Sequence, residues 1–219
     1  MPALLLPEEI EALFTREDGS YSFARWGRPI APIVFGVTDE TLATVKGAVE
    51  AVVTLAGHQM TETDPELGAN LMVFFFREWR ELLEVRDLDR MIPGLAPLVN
   101  RLSKEGASQY RAFRFDDRGG IQAAFVFLCM NGALAEMPAE TLALTQAVQV
   151  MLLWGPQAFA EVSPLAVLPQ SGNTILRPEI AGVIAAAYDR MMPVAAGDAS
   201  HALRLYARLQ AVPEGGTSQ

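Results

Sequence analysis

The chain has 219 residues, 51% hydrophobic and 20% charged, with 26 acidic against 17 basic side chains and a formal net charge of -9. That balance describes a folded chain with a sizeable core and excludes a disordered one. It also argues against nucleic acid as a partner, because phosphate backbones are bound by clustered Lys and Arg.

The first fourteen residues, MPALLLPEEIEALF, carry no positive charge ahead of a short apolar run. They fit neither a signal nor a transit peptide, so the expected location is cytoplasmic, with a trimmed exported form left open. Residues 7–14 predict a short helix, with Pro7 in its first turn and acidic residues at its favourable end. PIAPIVFGV (29–37) is rich in β-formers, but two prolines without amide donors place it at a sheet edge. Thr38 offers an N-cap to a helix whose apolar positions Leu42, Val45, Val49, Val52 and Val53 repeat at helical spacing up to Gly57. NLMVFFF (70–76) is apolar on both faces, as a central strand is.

Pro93 and Pro97 divide the next helical stretch into two short helices. QYRAFRF (109–115) and IQAAFVFLCM (121–130) flank a Gly-containing connector and predict a hairpin. AETLALTQAVQVMLLWG (139–155) predicts one long, central helix ending at Gly155-Pro156. A loop at 163–173 and helices at 177–192 and 198–209 follow, the last capped by Asp198. No stretch is long and apolar enough to span a bilayer. The expectation is an α+β fold: a mixed sheet of about four strands, covered mainly on one face, with a helical C-terminal half. One domain spans 1–212, and the polar, Gly-rich residues 213–219 form a disordered tail.

Catalytic chemistry is sparse. His58 and His201 lie far apart and outside any His-Glu-x-x-His spacing, so no zinc site is expected. Cys129 excludes an intramolecular disulfide and sits in an apolar strand, the setting of an inert thiol. Glu62, Asp64 and Glu66 alternate along a loop that lacks the EF-hand pattern. Asp87, Asp89, Arg86 and Arg90 read as pairing around a helix start. Arg25, Trp26 and Arg28 form a cation–aromatic group, read as packing or as a binding spot. The central helix carries a narrow uncharged strip of Thr141, Thr145, Gln146 and Gln149, which is the candidate ligand-binding groove. No metal or cofactor is expected.

The order of these elements resembles a bacterial family of unknown function related to the zincin metallopeptidases. Arg25-Trp26-Gly27-Arg28-Pro29-Ile30 is similar to the Arg/Lys-Trp-x-x-Pro-Ile segment that introduces that family's edge strand. Leu142-Ala143-Leu144-Thr145-Gln146 occupies the place of its Glu-Glu-Leu-x-Gln element, where true zincins have His-Glu-x-x-His. Ala187-Tyr188-Asp189-Arg190 and 199–209 resemble its closing helices. The resemblance implies a zincin-like fold, and Leu142 and Ala143 imply that the metal-binding and general-base positions are lost. A non-catalytic domain binding a protein, peptide or small ligand is therefore the leading expectation. The rivals are an enzyme working through carboxylates and arginine, such as Asp116, Asp117 and Arg118, and a structural subunit of a homo-oligomer. The apolar 191–194 segment would supply the oligomer's contact.

Overall fold

A computed structural model describes residues 5–211; the expected tail, 213–219, lies outside them. Helix α1 (Pro7–Ala12) and the two-residue strand β1 (Phe23–Ala24) precede the main sheet. That sheet is built from β2 (Pro32–Phe35), β3 (Leu71–Phe76), β4 (Gln109–Phe115) and β5 (Ile121–Cys129), in the spatial order β2-β3-β5-β4. β2, β3 and β5 run parallel, and the hairpin partner β4 is antiparallel to β5 at the far edge. The fold is α+β, and β2 is an edge strand and β3 a central one, as the sequence predicts.

The parallel pair β2 and β3 needs a crossover, and α2 (Asp39–Leu55) supplies it. The Thr38 hydroxyl accepts from the Thr41 amide at 3.4 Å to start this helix. β2 ends at Gly36, whose φ of +79° and position against the Phe75 carbonyl leave no room for a Cβ.

Contrary to the one-sided expectation, both faces of the sheet are covered. Leu71, Val73, Ala124, Val126 and Leu128 pack against α2 and against α6 (Ala139–Met151). Met72, Phe74, Phe76, Phe125 and Phe127 pack on a 3-10 turn (Trp79–Glu84), α3 (Leu88–Met91) and α4 (Leu95–Lys104). The cause is the side-chain alternation of β3 and β5: each face of an apolar strand must be buried. Pro93-Gly94 separates α3 from α4. Pro97 is accommodated in the first turn of α4, where an amide is dispensable.

The C-terminal half departs from an all-helical reading. After α5 (Gly132–Ala135) and α6, a small antiparallel ribbon, β6 (Leu165–Val167) with β7 (Thr174–Leu176), begins within the expected loop and ends just beyond it. α7 (Pro178–Ala187) ends earlier than predicted, and β8 (Ala195–Ala196) then pairs antiparallel with β1. α8 (Ser200–Ala211) closes the fold, with the Asp198 carboxylate accepting from the Ser200 amide at 2.8 Å. In the 191–194 segment Met191 is exposed, Pro193 and Val194 are half-buried and Met192 is buried. No described helix is long and apolar enough to cross a membrane.

Helix α6 stops at Met151, four residues before the predicted Gly155. Its last carbonyls meet aromatic donors instead of a glycine cap: Trp154 Nε1 to Val148 O at 3.0 Å, Trp26 Nε1 to Val150 O at 2.8 Å, and Tyr188 Oη to Met151 O at 2.8 Å. With these carbonyls satisfied, the backbone turns extended, and Leu153 donates to Ala24 O at 2.8 Å. Trp26 is thereby a structural residue fixing the end of the central helix.

Candidate functional site

The alternation of β4 sets the geometry of its surroundings. Cys129 donates its amide to Ser108 O, and the pairing continues as Tyr110 with Phe127 and Ala112 with Phe125. Ladder bonds in an antiparallel pair fall on alternate residues. The main-chain groups of Gln109, Arg111 and Phe113 therefore face away from β5, along an edge that no other strand of the sheet covers. Side chains alternate as well. Ala112 and Tyr110 turn to one layer, and the Arg114 guanidinium lies over Phe125 and donates to Met91 O. Gln109, Arg111 and Phe113 turn to the layer that holds α6.

There they meet the glutamine half of the polar strip. Arg111 Nη1 donates to Gln146 Oε1 at 2.9 Å and to Gln109 Oε1 at 3.1 Å, and Gln146 Nε2 donates to Gln109 Oε1 at 3.1 Å. Gln146 is buried, and its amide fixes the arginine from below. Among the described residues no carboxylate forms an ion pair with Arg111. Burial pushes its guanidinium down to about 10, still a cation at neutral pH.

Two cavities share this arginine. One, of about 690 Å³, lies between β4 and the β1–β8 ribbon and is lined by Arg16, Arg111, Phe113, Phe115, Ala195 and others. The second, of about 380 Å³, is walled by Arg16, Gln109, Arg111, Gln149, Trp154 and Phe159. Neither wall contains an acidic residue. Gln149 Oε1 is buried without a hydrogen-bond partner among the described residues. Arg16 reaches the same space from the turn after α1, with Nη2 3.5 Å from Ser22 Oγ. The nearby Asp18 carboxylate is held by its own turn, accepting from Ser20 N at 2.9 Å and Ser20 Oγ at 2.6 Å.

The threonine half of the strip is occupied within the protein. Thr145 Oγ1 donates to Thr141 O at 2.8 Å, and Thr141 Oγ1 lies 3.3 Å from Thr174 Oγ1 in the β6–β7 ribbon. The structure thus brings Gln146 and Gln149 to the groove and directs the hydroxyls of Thr141 and Thr145 elsewhere. The edge strand beside them is β4, whereas the proline-bearing β2 lies across the sheet. Sequence reading passed over Arg111 and Arg16. The detectable signal was the alternation in QYRAFRF, which puts an arginine on the face that Phe113 buries.

Of the other residues that the sequence singles out, Arg28, Asp64, Glu66, Asp116 and Arg118 come together around a separate cavity of about 380 Å³. Asp64 is 3% exposed and accepts from the Glu66 and Leu67 amides and from Asn70 Nδ2, with Arg28 Nη1 3.5 Å away. Burial would raise this carboxyl, but those donors and Arg28 outweigh it and hold it below its ordinary value. Asn70 in turn binds Pro29 O and the Ala31 amide, so this cluster fastens β2 to β3. Asp116 Oδ1 accepts from the Arg118 and Gly120 amides at 2.9 Å and so builds the hairpin turn. Arg25 Nη2 donates to Met192 O and its guanidinium stacks on Tyr188. His58 Nε2 lies 2.8 Å from Arg28 O, and burial holds its imidazole below the usual range. Cys129 is buried, with its thiol donating to Arg77 O at 3.1 Å, and burial raises it away from the reactive thiolate. Asp87 pairs with Arg90 at 3.1 Å. Among the described residues no group of three or more His, Cys, Asp or Glu side chains is arranged to hold a metal ion.

Comparisons with family models, curated proteins and solved structures found no match.

Proposed function

We propose that this protein is a binding module on a zincin-like scaffold without a catalytic metal, and that it receives an extended peptide along the β4 edge. The observation carrying this reading is the open main chain of Gln109, Arg111 and Phe113 beside a groove floored by Gln109 and Gln149. A partner strand adds to such an edge through main-chain hydrogen bonds, while pockets along the groove select alternate side chains. A zincin-like origin is supported by a hairpin sheet leading to one long helix, in which Leu142, Ala143 and Gln146 stand in the stretch that resembles the metal-binding element. Those side chains offer neither a proton acceptor nor a zinc ligand.

The test is selection of a bound peptide from a displayed random library, followed by N-methylation of its amides in the two alternating registers. Strand addition requires that one register of methylation abolishes binding and the other leaves it intact. Equal tolerance of both registers contradicts the reading.

A further inference from the structure

The groove beside β4 is positive in a chain whose formal net charge is -9. Arg16 and Arg111 are the charged side chains in the walls of both cavities. Arg111 spends one nitrogen, Nη1, on the amide oxygens of Gln146 and Gln109. A guanidinium carries donors on its other nitrogens in a planar fork that matches a carboxylate. Burying a cation without a counter-ion is unfavourable for folding. A groove that keeps one, oriented by a buried glutamine, is complementary to an anion that arrives from outside.

We propose that Arg111, assisted by Arg16, receives the carboxylate of an acidic residue in the extended peptide that pairs with β4. This inference rests on the strand-addition reading and adds the chemistry of the bound sequence. The register of β4 supplies the rest of the specificity. Arg111, Phe113 and Phe115 recur at every second position, and all three line the larger cavity. Side chains of a paired strand also recur every second residue on one face, so the acidic residue stands two positions from an apolar one. The acid meets Arg111 and the apolar side chain two positions away meets Phe113. The neighbouring cavity adds Trp154 and Phe159 as an apolar wall on the other side of the arginine.

The experiment selects displayed random peptides on the full chain and measures enriched sequences, as blocked synthetic peptides, by fluorescence anisotropy. The expected selection is for Asp or Glu two residues from an apolar side chain. Changing that acid to its amide is expected to weaken binding about 10- to 100-fold, the range of a charge-assisted hydrogen bond. In Arg111→Met that acid-to-amide difference disappears, and in Arg16→Gln it shrinks. Arg111→Lys retains the charge without the fork and is expected to lose part of the difference; it serves if the Met variant folds poorly, which circular dichroism reports. Enriched peptides lacking an acidic residue, or binding unchanged in the Arg111 variants, overturn the inference and leave strand addition standing if the methylation pattern holds. Competition by free succinate at the peptide's own concentration range assigns the pocket to a small anion and also overturns it. A library yielding no binder removes both readings.

Discussion

At the residue scale Arg111 sets function against stability. Its guanidinium is desolvated and bonded only to neutral amides, so it adds little to the fold and carries a desolvation cost. Arg111→Met removes that desolvation cost but leaves the buried Gln146 Oε1 without its donor, opposing effects of about 1–3 kcal/mol, so the melting temperature should move by less than about 5 °C. Calorimetry showing a fall of more than about 5 °C would make Arg111 a structural residue instead. His201 is the opposite case. It is 2% exposed, with Nδ1 2.8 Å from the Tyr21 hydroxyl, its ring against Phe23, and Nε2 without a partner among the described residues. Burial, with Arg204 nearby, pushes its imidazole down to about 4. Between about 6.5 and about 4 the unfolded chain therefore binds the proton that the folded chain refuses. Stability falls as pH drops through that window, by about 2–4 kcal/mol in total, and gains nothing from this group above it. Urea titrations across that range should show the slope in the native chain and a flatter profile in His201→Gln. Of the site, the sequence revealed Gln146 and Gln149, because helical spacing puts them on one strip. It hid Arg111, because β-propensity alone does not say which face of the strand meets a groove, and Arg16, because no local pattern links a turn after α1 to a strand of the hairpin.

At the element scale the end of α6 decides where the groove begins. Three aromatic donors hold its final carbonyls, and Trp26 is fully buried. Trp26→Phe keeps most of the apolar contact but orphans Val150 O, which should cost about 1–3 kcal/mol and raise amide exchange in the last turn of α6. A cost below about 0.5 kcal/mol would mean that another donor takes the carbonyl. Gly36→Ala should also destabilise, because its Cβ would press on Phe75 O at a positive φ; denaturant midpoints check both. The same features explain what the sequence could show of the elements. α2, β3, the hairpin and the break at Pro93 followed from local periodicity and turn chemistry. The early end of α6, the β6–β7 ribbon and the pairing of β1 with β8 depend on partners distant in the chain. No local pattern encodes them. The coverage of both sheet faces is implicit in the sequence, since β3 and β5 are apolar at successive positions and Pro93 and Pro97 mark two short helices between them.

At the scale of the whole molecule, a sheet closed on both faces leaves its edges as the places where backbone can meet a partner. The two edges differ in chemistry. β2 is short and begins with proline, whereas β4 is seven residues long, carries Arg111, and faces the cavities that Arg16 and Gln149 also line. In the proposed function β4 is an open strand kept for an incoming chain. Residue-resolved hydrogen exchange, with and without a peptide selected on the protein, tests this. The amides of Gln109, Arg111 and Phe113 should exchange much faster than those of Tyr110 and Ala112 in the free protein, and should become protected together when peptide is added. Equal protection of all five amides in the free protein, or peptide binding that leaves those three unchanged, would contradict it.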